Sequence, residues 1–230
     1  MPESRVVEIP IGDRRFSVPI PNLIGVAEPE HTPGVPDKRE EIIRALEAPI
    51  GSPKLEELAR GKHSAAIVIN DITRPYPGRL MVEEIARVLN ECGLADSQIR
   101  LIVAYGHHRP NTAGELASIY GEEVVRRFPI VHHDAQDPAG LTDLDRTAGG
   151  VEVVVNSAFA QADLKILTGC IAPHQFAGFS GGRKSVLPGI AGLETLKRHH
   201  SFPIRPEKIS LGVLEGNRFH EEAVAAARIA

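Results

Sequence analysis

Segment 173–189, PHQFAGFSGGRKSVLPG, concentrates residue types that bind anions and transfer protons. It approaches the phosphate-binding loop pattern G-x-x-x-x-G-K-[ST], because Lys184 precedes a serine and follows a glycine-rich run. However, Arg183 stands where that pattern requires glycine, and Pro188 interrupts the helix that should follow. The segment therefore departs from a nucleotide-binding P-loop.

The glycine-rich turn within this segment still suits an anion. Ser180, Gly181 and Gly182 permit a tight turn, and Arg183 and Lys184 add two positive charges beside it. Turns of this kind, placed after a strand, bind phosphate through backbone N–H groups and nearby cations. We therefore expect an anion site here, with phosphate as the favoured ligand.

His108 and His174 are candidates for an acid/base pair. His108 lies in GHHRPNT and His174 lies in APHQF, each in a loop that follows a predicted strand. One loop histidine is more often structural, but two at the same edge of a sheet can share proton transfer near neutral pH. The role of His107 stays open. The other histidines of loops and surfaces are expected to be structural (His132, His133) or solvated (His31, His63, His220).

The histidine pattern does not predict a zinc site built by the protein alone. The sequence contains no H-x-x-x-H or C-x-x-C pair. His199 and His200 are adjacent, and neighbouring helical residues point about 100° apart, so both are not expected to bind one ion. One of them could be a lone ligand if a bound cofactor supplied the others.

The motif DITRP, residues 71–75, adds a charged pair at a third strand end. Asp71 and Arg74 could form a local ion pair that fixes the loop. Alternatively, the Arg74 guanidinium could bind a carboxylate or phosphate with two parallel hydrogen bonds.

Apolar runs that alternate with amphipathic helices must position these loops. They predict an α/β fold with a doubly wound, mostly parallel sheet, helices on both faces and an N-terminal β-hairpin around Gly12 and Asp13. Ligands of such sheets bind beyond the carboxyl ends of the strands. The predicted strands are 64–71, 99–106, 128–134, 151–156 and 163–169. The predicted helices are 38–46, 53–60 after an N-cap at Ser52, 78–93, 112–121 with a capping box at Thr112, 191–200 and 218–230.

Composition narrows the class of protein. The 230 residues carry a net charge of −4, so no basic surface predicts a nucleic acid or an acidic membrane as partner. Two cysteines, an N-terminus without a signal peptide and the lack of a long apolar run predict a soluble, cytoplasmic chain.

Four motifs in order, DITRP, GHHRPNT, PHQFAGFSGGRKSVLPG and the second histidine of KRHH, carry a family resemblance. From about Ser64 to Asn217 the chain resembles the nickel-dependent lactate racemase family. Members of that family have two α/β domains, and this chain is similar to the N-terminal, cofactor-binding one. The resemblance implies that residues 1–230 form this one domain and that the C-terminal domain is absent.

The resemblance implies a cofactor, the nickel pincer nucleotide, which is a nicotinate-derived mononucleotide that holds nickel. By motif position, Lys184 would be its covalent anchor, and His200 rather than His199 would be the nickel ligand contributed by the protein. Asp71 and Arg74 match family residues near the cofactor. The glycine turn would contact the cofactor phosphate through Ser180, Gly181 and Gly182.

The resemblance also implies an isomerase, a racemase or epimerase of 2-hydroxy acids that works by hydride transfer to the cofactor. His108 and His174 would exchange the hydroxyl proton, and two bases are needed because enantiomers present their hydroxyls in different directions. The implied partners are a small 2-hydroxy acid, the C-terminal domain and the proteins that make the cofactor. Without the domain that closes the cleft, we expect little activity.

Two alternatives stay open on sequence alone. A non-enzymatic nucleotide- or phosphate-binding module would explain the glycine turn and the basic residues, but not His108 together with His174. A zinc hydrolase would require clustered ligands, which the sequence does not contain.

Overall fold

The computed structural model describes residues 5–12, 14–27, 30 and 32–230. The chain divides into two compact units, Met1–Pro36 and Asp37–Ala230. His31 and Asp13, which the sequence predicts on the surface and in the hairpin turn, lie outside the described residues.

The first unit contains the predicted β-hairpin. Strand β1 (Arg5–Ile11) pairs antiparallel with strand β2 (Arg14–Ile20), and Arg5 lies opposite Ile20. Gly12 has a φ of 58°, which is a conformation that glycine adopts without a steric penalty. The Pro-rich, acidic sequence of residues 27–38 predicts a loop, and its described residues before Lys38, where a helix begins, contain no helix or strand.

The second unit is the α/β domain. In chain order its helices are α1 (Lys38–Glu47), α2 (Leu55–Ala59), α3 (Gly78–Glu91), α4 (Ala113–Tyr120), α5 (Glu122–Arg127), α6 (Ser157–Ala160), α7 (Leu193–His199) and α8 (Arg218–Ile229). Its strands are β3 (Ala65–Asn70), β4 (Ile99–Ala104), β5 (Ile130–His132), β6 (Leu141–Arg146), β7 (Glu152–Asn156), β8 (Leu164–Leu167), β9 (Pro173–His174) and β10 (Gly178–Phe179).

A parallel sheet in the order β5-β4-β3-β8 forms the centre of this unit. Ala65 lies opposite both Ile99 and Leu164, so the three longer strands start level and their carboxyl ends reach the same edge. The prediction of a mostly parallel, doubly wound sheet is confirmed.

Each face of the sheet is covered by a separate apolar layer. Ile67 and Ile69 pack with α3, α4 and α5 on one face, and Ala66 and Val68 pack with β7, α6 and α8 on the other. Each fully buried Leu or Ile stabilises the fold by about 1.5–3 kcal/mol relative to the exposed side chain. The two layers therefore fix the strands, and with them the loops at the carboxyl edge.

The prediction that all five predicted strands share one parallel sheet is wrong for strand β7. It pairs antiparallel with β6, which the sequence did not predict, in a separate two-stranded ribbon. The β6 sequence LTDLDR lacks a continuous apolar run because only half-buried positions face the domain. Its pairing is therefore set by tertiary packing that the pattern does not show.

Helix ends test the predicted caps. Thr112 caps α4 through the predicted capping box with Glu115. Ser52 does not cap α2, because that helix begins after Lys54 and the Ser52 hydroxyl donates to the Pro53 carbonyl. Within the described residues, no helix is both long and apolar enough to cross a membrane.

Candidate functional site

The carboxyl ends of β3, β4 and β8 surround a cavity of about 280 Å³, which we call the strand-end cavity. Most of the predicted site residues line it: Arg74, His108, His174, Ser180, Gly181, Lys184 and His200. Asp71 and Gly182 do not line the cavity. Asp71 is hydrogen-bonded to His108, and Gly182 is the first residue of the 3-10 turn 182–185 that contains Lys184. The structure thus brings together residues that are more than a hundred positions apart in sequence.

Glycine allows the His108 loop to meet segment 173–189. Gly106 follows β4 with a φ of 58°, and its N–H donates to the Gly189 carbonyl at 2.8 Å. The next turn closes where the His108 N–H donates to the Tyr105 carbonyl. These two backbone hydrogen bonds place His108 against the segment that contains Lys184.

His108 is held by a buried carboxylate. Its Nδ1 lies 2.6 Å from Oδ2 of Asp71, while the other Asp71 oxygen accepts from the Thr73 N–H at 3.0 Å and the Thr73 hydroxyl at 2.6 Å. Asp71 is 3% exposed, so it stays fixed. The carboxylate holds a proton on Nδ1, which leaves the Nε2 lone pair of His108 to act as a base. Asp71 therefore pairs with His108 and not with Arg74.

His174 is held in the opposite way. Its Nδ1 accepts two backbone N–H groups, from Phe176 and from Ala177, each at 3.1 Å. Nδ1 therefore carries the lone pair, and neutral His174 bears its proton on Nε2. Burial, together with the positive charges of Lys184 and Arg74, lowers the pKa of His174 to about 4. At neutral pH His174 is a hydrogen-bond donor at Nε2.

Lys184 lies on the 3-10 turn 182–185, largely removed from water. Burial and the neighbouring positive charges of Arg183 and Arg74 lower its pKa to about 8. A substantial fraction of the amine is therefore neutral near physiological pH, which makes Lys184 a better nucleophile than a surface lysine.

Arg183 corrects the prediction that it offers its charge to an anion. Its guanidinium donates to the Ala177 and Phe179 carbonyls at 2.7 Å and to those of Ser180 and Gly181 at 3.3 and 3.2 Å. The turn thus points carbonyls inward at a cation, whereas a P-loop points N–H groups inward at an anion. Its side chain is committed to shaping the turn.

Ser180 has a similar bracing contact. Its hydroxyl donates to the Cys170 carbonyl at 2.7 Å and accepts from the Ala172 N–H at 2.8 Å. These two hydrogen bonds connect the turn to the loop that follows β8.

Gly178 cannot be replaced by a residue with a side chain without a steric clash. It has a φ of 73°, and a Cβ at this position would lie 2.2 Å from the Val213 carbonyl oxygen.

His200 and His199 differ in their hydrogen-bond partners and in their access to the cavity. The Nδ1–H of His200 donates to the Leu196 carbonyl at 3.0 Å, and its ring lines the strand-end cavity. This bond leaves His200 Nε2 as the atom suited to a metal. His199 is fully buried, and its Nε2–H donates to the Phe219 carbonyl at 2.8 Å.

The other histidines mostly follow the predictions. His133 is buried and its Nε2–H donates to the Ala191 carbonyl, and His132 accepts from the Tyr105 hydroxyl at 2.8 Å, so both are structural. His63 is exposed as predicted, whereas the prediction of a solvated His220 is wrong because that ring is half-buried.

Several cavity residues escaped the sequence analysis. They are uncharged or unremarkable in type, and the signal they share is position at a strand end or beside the glycine turn: Asn70, Tyr105, Cys170 and Ser185. The rule that ligands bind at carboxyl strand ends could have included Asn70.

Known proteins resemble this chain over most of its length. The family model described as lactate racemase N-terminal domain matches residues 11–212. A lactate racemase from Lactiplantibacillus plantarum is 43% identical over 194 residues, which cover 84% of this chain and 46% of the relative. A lactate racemase from Thermoanaerobacterium thermosaccharolyticum is 35% identical over 231 residues, covering 96% and 53%. The chain spans about half the length of these relatives.

Solved structures agree with the fold. The lactate racemase apoprotein from Thermoanaerobacterium thermosaccharolyticum matches with a TM-score of 0.83 at 32% identity, over 97% of this chain and 53% of that one. A protein from Thermotoga maritima shares the fold with a TM-score of 0.62 at 24% identity, over 86% and 49% of the two chains.

Proposed function

The chain belongs to the lactate racemase N-terminal domain family, and on that basis we propose that it is the cofactor-binding part of a racemase or epimerase of 2-hydroxy acids. The observation that carries this proposal is the convergence of His108 and His174, held in opposite ways, with Lys184 and His200 in one cavity. The names of the relatives support lactate or a similar acid as substrate.

The cavity residues fit a lysine-bound nickel pincer nucleotide. Lys184 offers an amine whose pKa is lowered to about 8, which suits covalent attachment. His200 offers Nε2 to a metal while its Nδ1–H is held by Leu196, and Arg74 adds a guanidinium for an anionic group. When bound, the cofactor would supply the hydride acceptor that these side chains lack.

His108 is the proton acceptor in this arrangement. Its Nε2 can take the hydroxyl proton of one enantiomer, because Asp71 stabilises the imidazolium that results. His174 faces the same cavity with an Nε2–H that can hydrogen-bond the substrate oxygen.

For the opposite enantiomer, His174 must itself accept a proton at Nε2. Nε2 can accept a proton only if the proton it carries is first moved to Nδ1. The Nδ1–H would then repel the N–H groups of Phe176 and Ala177, which now donate to Nδ1, so these groups must turn away. We propose that the turn between β9 and β10 moves during the reaction for this reason.

Replacement of Lys184 tests the anchor. Lys184→Arg keeps a positive charge but removes the nucleophilic amine, so we expect the parent chain, and not the variant, to carry a cofactor adduct after co-expression with cofactor-synthesising proteins. Intact mass and nickel content are the measurements. Lys197→Arg is the matched control, because the Lys197 side chain on α7 is exposed, and this variant should retain the adduct. An adduct of equal yield on Lys184→Arg would contradict the anchor role.

A phosphate-binding module without activity is the second candidate, favoured by the positive charges of Arg74 and Lys184 in the cavity. This alternative predicts that His108 takes part in no reaction after the ligand has bound. In a cofactor-loaded full-length relative, replacing the histidine that matches His108 with alanine should abolish racemisation while the adduct remains. Unchanged turnover would favour the binding module.

A further inference from the structure

Asn70 is fixed more firmly than its place at a strand end requires. It is the last residue of β3, its N–H donates to the Tyr76 hydroxyl at 3.1 Å, and its carbonyl accepts from the Tyr120 hydroxyl at 2.6 Å. The two hydroxyls lie 2.7 Å apart and join the two bonds into one network. The backbone of Asn70 is therefore held on both sides.

The side chain of Asn70 lines the strand-end cavity together with Lys184 and Ser185. Its Oδ1 is buried and has no hydrogen-bond partner within the described part of the chain. A buried polar atom without a partner costs stability, so such atoms in native proteins call for a ligand or a water as partner. Because hydrogen bonds fix the backbone that carries this amide, a ligand can bind the amide with little loss of conformational freedom.

Gly169 leaves space beside this amide that a side chain would fill. A Cβ at position 169 would lie 3.2 Å from Asn70 Oδ1, 3.7 Å from Ser185 Oγ and 3.8 Å from Gly181 Cα. The Asn70 amide and the Ser185 hydroxyl thus both lie close to Gly169, and Ser185 follows Lys184 in sequence. Asn70 and Lys184 therefore border the same cavity.

We propose that the Asn70 amide is a further binding residue, which hydrogen-bonds the group attached at Lys184 rather than the 2-hydroxy acid. The amide offers both a donor and an acceptor, so it matches a carboxylate-derived substituent or a phosphate oxygen, and it adds no charge beside Lys184 and Arg74. This inference rests on the proposed function, because it assumes a nicotinate-type mononucleotide at Lys184.

The test titrates nicotinic acid mononucleotide into the parent chain and variants, followed by ¹⁵N–¹H spectra that include side-chain amides. We expect the Asn70 amide signals to shift, and Asn70→Ala to weaken binding about tenfold, as loss of a hydrogen bond to a charged group does. Asn70→Asp should weaken it further, because it adds a negative charge beside an anionic ligand.

Two further variants separate contact from folding. Asn70→Ser is a smaller polar replacement that keeps the test valid if Asn70→Ala does not fold. Asn111→Ala is the matched control, because both polar side-chain atoms of Asn111 are buried without a partner in the residues described, yet Asn111 is outside the cavity wall. It should bind the mononucleotide as the parent does.

The outcomes distinguish the two proposals. Parent-like affinity of Asn70→Ala and Asn70→Ser would overturn the role of Asn70 and leave the proposed function intact. Weaker binding of L-lactate, with unchanged mononucleotide binding, would also overturn it, because Asn70 would then contact the substrate. A parent chain that binds no mononucleotide would overturn the proposed cofactor and this inference together.

Discussion

His108 and His174 are the same residue type at the same sheet edge, yet their hydrogen bonds favour different tautomers. A carboxylate faces Nδ1 of His108, whereas two N–H donors face Nδ1 of His174. The carboxylate favours the tautomer with its proton on Nδ1, and the two N–H donors favour the tautomer with its proton on Nε2. The residue types alone predict a pair of acid/base groups, and their surroundings make the pair unequal.

We predict that His174 remains neutral well into the acid range. Its pKa is lowered from 6.5 to about 4, so the unfolded chain binds more protons than the folded chain between these values. The stabilising contribution of neutral His174 is complete above about pH 6.5 and is lost as the pH falls towards 4. Imidazole NMR signals of His174, followed against pH, should show the low midpoint and the Nε2–H tautomer.

Removal of the positive charge at Lys184 provides the control for this prediction. Burial is the larger cause of the low pKa and Lys184 is the next. Lys184→Met should therefore raise the pKa of His174 while leaving the Phe176 and Ala177 hydrogen bonds in place. A titration midpoint near pH 6.5 for His174 in the parent chain would contradict the prediction that burial and Lys184 lower its pKa.

Sequence reasoning reached most of this site but not its pairings. The motif order identified His108, His174, Lys184 and His200, all of which line one cavity. It did not show that Asp71 would bind His108, because that contact joins loops after two different strands. It did not find Asn70, because an asparagine carries no distinctive chemistry until its partners are known.

At the scale of elements, the glycine turn of residues 177–185 has the reverse polarity of a phosphate-binding loop. Glycines with positive φ at 178, 181 and 182 turn the chain so that carbonyls converge on Arg183. The guanidinium therefore organises the segment from inside, and Lys184, next in sequence, extends to the cavity. The arginine that breaks the P-loop pattern is the residue that shapes this turn.

We predict that Arg183→Lys loosens this turn. A lysine ammonium is a compact donor and cannot reach the same spread of carbonyls as a planar guanidinium. Loss of hydrogen bonds from a charged group to the carbonyls of buried and half-buried residues should lower the free energy of unfolding by about 2 kcal/mol. Urea denaturation measures the change, and the amide signals of residues 177–181 should broaden or shift.

Arg146→Lys is the matched control. Arg146 forms an exposed ion pair with Glu152 on the β6–β7 ribbon, and such surface pairs contribute about 0–1 kcal/mol. Equal losses in the two variants would show that Arg183 is an ordinary surface arginine.

Elements with a strong local pattern were predictable, and those set by long-range packing were not. The apolar runs of β3 and β4 are buried on both faces, so periodicity and composition predict them. Strand β6 is only half-buried, and β9 and β10 contain two residues each, too few for a pattern. Their pairing depends on contacts with the rest of the domain.

At the scale of the whole molecule, the chain spans about half the length of the lactate racemases it resembles. The side chain of His108 is 53% exposed, so the proposed base is in contact with water. Water around a base and its substrate weakens the electrostatic interactions that favour proton transfer. The site geometry therefore predicts that a further part of the protein covers the cavity during turnover.

We predict that this chain, loaded with cofactor, racemises lactate far more slowly than a full-length relative does. The second half of the Lactiplantibacillus plantarum lactate racemase, supplied in trans or fused to residue 230, should raise the rate by excluding water and orienting the acid. Chiral chromatography of L-lactate and D-lactate measures turnover, and adduct mass ensures equal loading. The fused protein with His108→Ala should be inactive, which excludes a contaminating racemase. Turnover by the isolated chain at the rate of the intact relative would show that the strand-end cavity needs no cover.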